Sequence, residues 1–259
     1  MNFNLKNKTS KAQLTMNNKM SFLLTSCGRL NLLDRTLESF FKFNNFPLEE
    51  LYLTEDSADQ DVYKKINKKW GKKLNILFNK KKKGQIKSIV DAYKLIKTPY
   101  IFHCEDDWVY IRKNFIQDSL KVLDHDSKII QVWLESQKSA SRLDIFSYGP
   151  LKKHKGVEFR EVYCKEGWEW GYFSFRPGVK RMKDYKLIGG YEKYKNELDI
   201  GVTYKKLGYY TVILEKYAVK DIGLDQTIFD PTRKWPNRRK TNAPTGLKRL
   251  WKHLKKFRF

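Results

Sequence analysis

The chain has 259 residues and carries 53 Lys and Arg against 29 Asp and Glu, a formal net charge of +24. That length allows one large domain or two small ones with a substantial core, and the basic excess points to an anionic partner: nucleic acid, a membrane surface or phosphorylated small molecules. Cys27, Cys104 and Cys164 are odd in number and widely spaced, which argues against a disulfide framework and for a reducing compartment.

Residues 1–19 are polar and lysine-bearing, without the apolar core of a signal peptide, and read as a loose lead-in. Ser21 to Ser26 is an apolar run typical of a buried strand. Asn31 is then a plausible helix N-cap, with Leu33, Leu37, Phe40 and Phe41 at helical spacing and Pro47 closing the segment. Leu51 to Thr54 and Leu74 to Phe78 read as two more strands. After the Lys80–Lys83 run, Gly84 opens a helix with Ile86, Ile89, Val90, Tyr93 and Ile96 on one face. A fourth strand follows Pro99 and ends in three consecutive acids, Glu105, Asp106 and Asp107.

Strand–helix alternation of this kind predicts a parallel sheet with crossover helices. Three strands end in polar groups: Cys27-Gly28-Arg29, Glu55-Asp56, and the acidic triplet. In open α/β sheets ligands bind at that carboxyl edge. Adjacent carboxylates repel unless something positive lies between them, and hard oxygen ligands suit Mg2+ or Mn2+. The plainer reading of the triplet is a solvated acidic turn. His103, on an apolar strand, reads as a packed core residue.

The second half is less regular. Phe115 to Leu123 reads as a helix and Ile129 to Leu134 as a strand, while residues 137–160 resist assignment. The aromatic stretch from Trp168 to Gly178 fits a core strand or a sugar-stacking surface. Asn196 to Leu207 suits a helix with Glu197 and Asp199 in its first turn, where acids are favoured. Gly208 ends it, and Tyr209 to Leu214 returns as a strand.

The order of these motifs resembles GT-A-fold glycosyltransferases, particularly glycosyltransferase family 2, over roughly residues 21 to 225. Thr25-Ser26-Cys27-Gly28-Arg29 looks like the first strand and nucleotide-binding turn, and Glu55-Asp56-Ser57 like the acidic motif that holds the nucleotide base. Glu105-Asp106-Asp107 sits where the family carries its metal motif, with Glu in place of the first Asp. Gly189-Gly190-Tyr191, followed by Asn196 to Asp199 and Gly208-Tyr209, resembles the segment that supplies the catalytic base. Counted back from Gly208, the base is Glu197 or Asp199. Where related enzymes place a metal-binding His before Ile-Gly, this chain has Asp221.

The resemblance implies an α/β fold with a mostly parallel, Rossmann-like central sheet flanked by helices. It spans residues 20–230, between the lead-in of residues 1–19 and a basic tail, 231–259. It implies transfer from a nucleotide-sugar donor to a glycan or lipid-linked acceptor, with inversion, in polysaccharide or lipopolysaccharide synthesis. Thr25, Ser26, Arg29, Glu55, Asp56, Gly84, Glu105 and Asp106 would line the donor site. Asp107, Glu105 and Asp221 would hold Mn2+ or Mg2+. Trp168, Trp170, Tyr172 and Phe173 would stack on the acceptor sugar. The rivals are a metal-dependent nucleotidyltransferase and a basic nucleic-acid-binding protein, the latter disfavoured by acids clustered at strand ends. In residues 247–259, Leu247, Leu250, Trp251, Leu254 and Phe257 fall on one face of a basic helix that either packs on the domain or lies on an anionic membrane surface. The expected location is cytoplasmic, with peripheral attachment.

Overall fold

The structure is a computed structural model that describes residues 19–140, 145–165 and 173–223. The lead-in up to residue 18, the aromatic residues Trp168, Trp170 and Tyr172, and the tail from residue 224 onward lie outside the described residues.

In chain order the elements are β1 (Met20–Ser26), α1 (Leu30–Phe43), β2 (Leu51–Glu55), α2 (Gln60–Trp70), β3 (Asn75–Phe78), α3 (Gln85–Leu95), β4 (Tyr100–Glu105), β5 (Trp108–Tyr110), α4 (Phe115–His125) and β6 (Ile129–Trp133). There follow α5 (Gln137–Ala140), β7 (Phe146–Tyr148), β8 (Lys152–His154), β9 (Val157–Cys164), β10 (Gly178–Arg181), α6 (Met182–Leu187), α7 (Glu197–Lys206), β11 (Tyr210–Leu214) and β12 (Val219–Asp221). No helix among the described residues is long and apolar enough to cross a membrane.

The first sheet has the order β10-β4-β1-β2-β3. β1 to β4 are parallel, and β10 runs antiparallel along β4. The chain steps outward from β1 to β3 and then returns to the other side of β1, so the topological switch point lies between β1 and β4. A second sheet, β6-β11-β9-β7 with β8 also on β9, joins the two strands expected at 129–134 and 209–214 to three that lie in or run on from the stretch that resists assignment in the sequence. β12 pairs with β5 just beyond the acidic triplet.

The helices form where apolar residues recur at helical spacing. α1 buries Leu32, Leu33, Leu37 and Phe40. Its N-cap is Arg29, with no side-chain cap bond, and Asn31 lies inside the first turn instead. α7 starts as its sequence predicts: the Asn196 side chain accepts from the Asp199 N–H at 3.0 Å. Phe40 is the hub of the main core, its ring within 4.3–6.1 Å of the rings of Phe22, Phe102, Tyr110 and Phe115. A second core, between the first sheet and α3, α6 and α7, is rich in tyrosine: Tyr93, Tyr191 and Tyr204 are buried there.

Truncating a fully buried Phe removes its transfer energy and leaves a cavity. Phe40→Ala is therefore expected to lower unfolding free energy by about 3–5 kcal/mol, and Phe40→Leu by less, in urea titrations read by far-UV circular dichroism.

Candidate functional site

The parallel register aligns the strand ends that carry the polar residues. Ser26 stands beside Glu55 and Thr25 beside Glu105. Thr25 and Ser26 are themselves buried. At the β2 end Glu55 is buried, and its Oε1 accepts the backbone N–H groups of Gly28 at 2.9 Å and Ser57 at 2.8 Å. Asp56 accepts from Asn79 Nδ2, Lys83 N and Gly84 N, each at 2.8 Å. Gly84 has φ +87°, a left-handed conformation that suits glycine and turns the chain into α3. Glu55 and Asp56, assigned to the nucleotide base by resemblance, thus shape two loops at the carboxyl edge of the sheet.

The triplet is not a solvated turn. Asp106 is 1% exposed, accepts from Ser26 Oγ at 3.1 Å, and is bonded by Arg29. Burial pushes the Asp106 carboxyl up to about 6, against the lowering effect of Arg29. Arg29 Nη1 also pairs with Asp107 Oδ2 at 2.9 Å. Burial raises Asp107 too, with Arg29 opposing and Asp221 reinforcing. Glu105 turns the other way and accepts from Gln85 Nε2 at 2.8 Å. Burial, then Asp107 and Glu197, push its carboxyl up to about 8. Arg29, expected at the phosphates, spends its guanidinium on the carboxylates.

Asp221 reaches the site because β12 pairs with β5, placing Asp221 opposite Trp108, and Ile222 N–H bonds the Asp107 carbonyl at 2.9 Å. Gly223 closes on the same carboxylate so tightly that a Cβ there would collide with it. Among the described residues no group of three or more His, Cys, Asp or Glu side chains stands close enough to hold a metal ion. The expected set of Glu105, Asp107 and Asp221 is thus not assembled; Asp107 and Asp221 are the neighbouring pair. Two carboxylates completed by substrate phosphates are the usual Mg2+ arrangement, so the pair still fits a hard cation.

α7 brings its first turn to the same edge. Glu197 accepts from Phe175 N–H through Oε1 and contributes to the field at Glu105. Asp199 instead closes on its own helix start, accepting from Lys195 N–H at 3.3 Å. Phe173 is in the core, 1% exposed, against Phe175, Tyr191 and Tyr204, so its ring is packed by the protein rather than open to a sugar. His103 is a core residue, with Nδ1 3.0 Å from the Tyr93 hydroxyl and its ring stacked on Phe175. Gln85, Asn79 and Lys180 belong to this region, and no sequence motif marks them.

No family model matches the chain, and no curated protein is found to match it. Solved structures do. The mannosyltransferase PcManGT from Pyrobaculum calidifontis, in complex with GDP-Man and Mn2+, aligns with a TM-score of 0.56 at 10% identity, covering 81% of this chain and 63% of that one. TarS 1-349 of S. aureus in complex with UDP-GlcNAc gives 0.53 at 16% identity, over 78% of this chain and 57% of that one. GalNAc-T7 with UDP, GalNAc and Mn2+ gives 0.53 at 12% identity, over 79% and 44%. This chain therefore spans less than two thirds of the length of each of these structures. The likeness establishes the fold, which is the GT-A fold.

A carboxyl raised to about 8 makes folding pH-dependent. Between the unfolded value of about 4.3 and that pH the folded state holds the extra proton, so stability falls as pH rises. Glu105→Gln is expected to gain on wild type from pH 5 to pH 9 by more than about 1 kcal/mol, roughly the worth of one pKa unit. Urea titrations in EDTA measure this, and a constant difference across that range contradicts it.

Proposed function

We propose that this chain transfers a sugar from a nucleotide-sugar donor to a hydroxyl of a glycan or lipid-linked acceptor, with inversion, in cell-surface polysaccharide synthesis. The observation that carries the reading is the meeting, at the carboxyl edge of a GT-A sheet, of the β4 acids with Glu197 from the first turn of α7. Structures of the same fold hold GDP-Man, UDP-GlcNAc or UDP, and two of them hold Mn2+.

In this reading Asp107 and Asp221 would hold a divalent cation, Mn2+ or Mg2+, which would supply Lewis-acid stabilisation of the leaving diphosphate. Arg29 offsets part of the charge of Asp106 and Asp107, which weakens the repulsion an anionic donor meets at the edge. The loops fixed by Glu55 and Asp56 set the width of the nucleotide cleft. Glu105, oriented by Gln85, faces the donor as a hydrogen-bonding group. Glu197 takes the proton of the attacking hydroxyl. The choice of Glu197 over Asp199 rests on their partners: Glu197 reaches out to the Phe175 N–H of another segment, and Asp199 serves as a local cap.

A thermal-shift screen of nucleotide sugars with and without Mn2+ tests the donor class, and metal-dependent stabilisation is the expected result. Calorimetry with UDP and GDP should show weak binding in EDTA and tighter binding in Mn2+, with Asp107→Ala abolishing the difference; equal affinities would remove the metal from the reading. Glu197→Gln should lower transfer by a factor on the order of 10^2–10^4 while leaving donor affinity nearly intact. If Asp199→Asn is the inactive variant instead, the base lies two residues along. For the tail, the reading places residues 247–259 on an anionic membrane beside a lipid-linked acceptor. Liposome co-sedimentation of the full chain and of a form ending at Gly246 tests this, and equal partition of the two opposes it.

A further inference from the structure

Lys180 is a buried cation that the reaction outlined above leaves unused. It lies on β10, is 4% exposed, and its Nζ donates to the Ser174 carbonyl at 3.0 Å. That carbonyl shares a peptide group with the Phe175 N–H, and the Phe175 N–H donates to Glu197. One peptide unit thus has an ammonium at its oxygen end and a carboxylate at its nitrogen end. An amide polarised in this sense donates more strongly than a neutral one, because the cation draws electron density toward the carbonyl oxygen. The unit is clamped further by Gln131 of β6, 2% exposed, whose amide faces the Ser174 backbone. In the orientation that satisfies both groups its nitrogen donates to Ser174 O at 2.9 Å and its oxygen accepts from Ser174 N at 3.2 Å.

We propose that Lys180 is a positioning residue for Glu197, acting through the Ser174–Phe175 peptide group, which it orients and polarises so that the Phe175 N–H holds the carboxylate at the edge of the site. Its importance for catalysis rests on Glu197 being the base, whereas the coupling itself does not. Burying a lysine in an apolar strand is costly unless its charge is used. The groups that face this ammonium are Glu197 from α7, Glu105, Cys104 and His103 from β4, and the ring of Phe173, 5.2 Å from Nζ. Burial brings the ammonium down to about 8, against the raising effect of Glu197 and Glu105, so its charge can be switched off at an accessible pH.

The test uses the full chain labelled with [15N]phenylalanine and follows the Phe175 amide proton from pH 6.5 to 9.5, without donor or metal. The expected result is an upfield step as Lys180 loses its proton. The step should persist in Glu105→Gln, which removes the carboxyl near this ammonium that is raised into the same range, and vanish in Lys180→Met, with thermal melting confirming that the variant folds. A flat Phe175 amide in wild type overturns the proposal, as does a step lost in Glu105→Gln or retained in folded Lys180→Met. Should Lys180→Met not fold, the wild-type and Glu105→Gln titrations decide the matter alone. Failure of sugar transfer in every assay would overturn the proposed function and leave this coupling standing, so the two outcomes separate.

Discussion

The structure depends on how three consecutive carboxylates are accommodated at the end of one buried strand. An isolated buried carboxylate costs several kcal/mol unless paired and hydrogen-bonded. Asp106 receives that compensation from β1 and the turn after it: Ser26 donates to one oxygen and Arg29 to the other. Both donors are available only because β1 and β4 run parallel and in register, with Thr25 beside Glu105. The strand order that creates the switch point is therefore also the order that makes the acids tolerable. A consequence appears at α1. Its N-cap residue is Arg29, whose side chain is committed to Asp106 and Asp107, and the helix starts with no side-chain cap bond. A local helix preference has given way to a long-range ion pair.

That trade explains why the sequence points to Asn31 as the cap when the chain uses Arg29: capping rules see one turn, and the ion pair spans 77 residues of sequence. Elsewhere in the first half the two scales agree. Apolar runs bounded by Gly, Pro or acids become β1, β2, β3 and β4, and Ile89, Val90 and Tyr93 bury the predicted face of α3. In the second sheet β6 and β11 were legible, and β7, β8 and β9 were not, for a physical reason. β7 and β8 are three residues each, too short to show a period, and the alternation along β9 breaks after Phe159, where Arg160 and Glu161 are both partly buried. Lys180 was equally hidden, since a buried lysine in a chain with 53 basic residues carries no compositional mark. The aromatic stretch divides at Phe173, which belongs to the tyrosine-rich core.

The second sheet matters to the site although none of the acids lie on it. β10 leaves the aromatic stretch and runs antiparallel to β4, and a Cβ at Gly178 would sit 3.0 Å from the Val132 carbonyl of β6. That close approach requires glycine, and it brings Gln131 and Lys180 to the backbone of Ser174. Arg181, next along β10, donates to the carbonyls of Leu123, Asp126, Ser127 and Ile129, which fastens the end of α4 to the same strand. β10 is thus held on both sides, by β4 and by the loop before β6. The peptide group that donates to Glu197 is thereby tied to β10 and β6 through Lys180 and Gln131.

Burial acts on all three carboxyl groups of the acidic edge. Glu105 keeps its proton near neutral pH because burial and its acidic neighbours raise it to about 8. Asp106, raised only to about 6, is ionised there. Among the described residues Asp106 and Asp107 share the guanidinium of Arg29, and Asp221 adds to the rise at Asp107. Lys80, Lys81 and Lys82 are exposed on the loop after β3, and the effect of Lys82 is felt at Cys27 rather than at the triplet. Exposed cations at that range are screened and contribute little to a buried pair. A cation beside Asp107 lowers its proton affinity, as Arg29 already does, and a divalent one would do so further. The raised proton affinity of Asp107 is first an effect of burial, which Asp221 reinforces and Arg29 opposes, so the same burial that makes the edge a closed site makes its carboxyl groups compete for any positive partner.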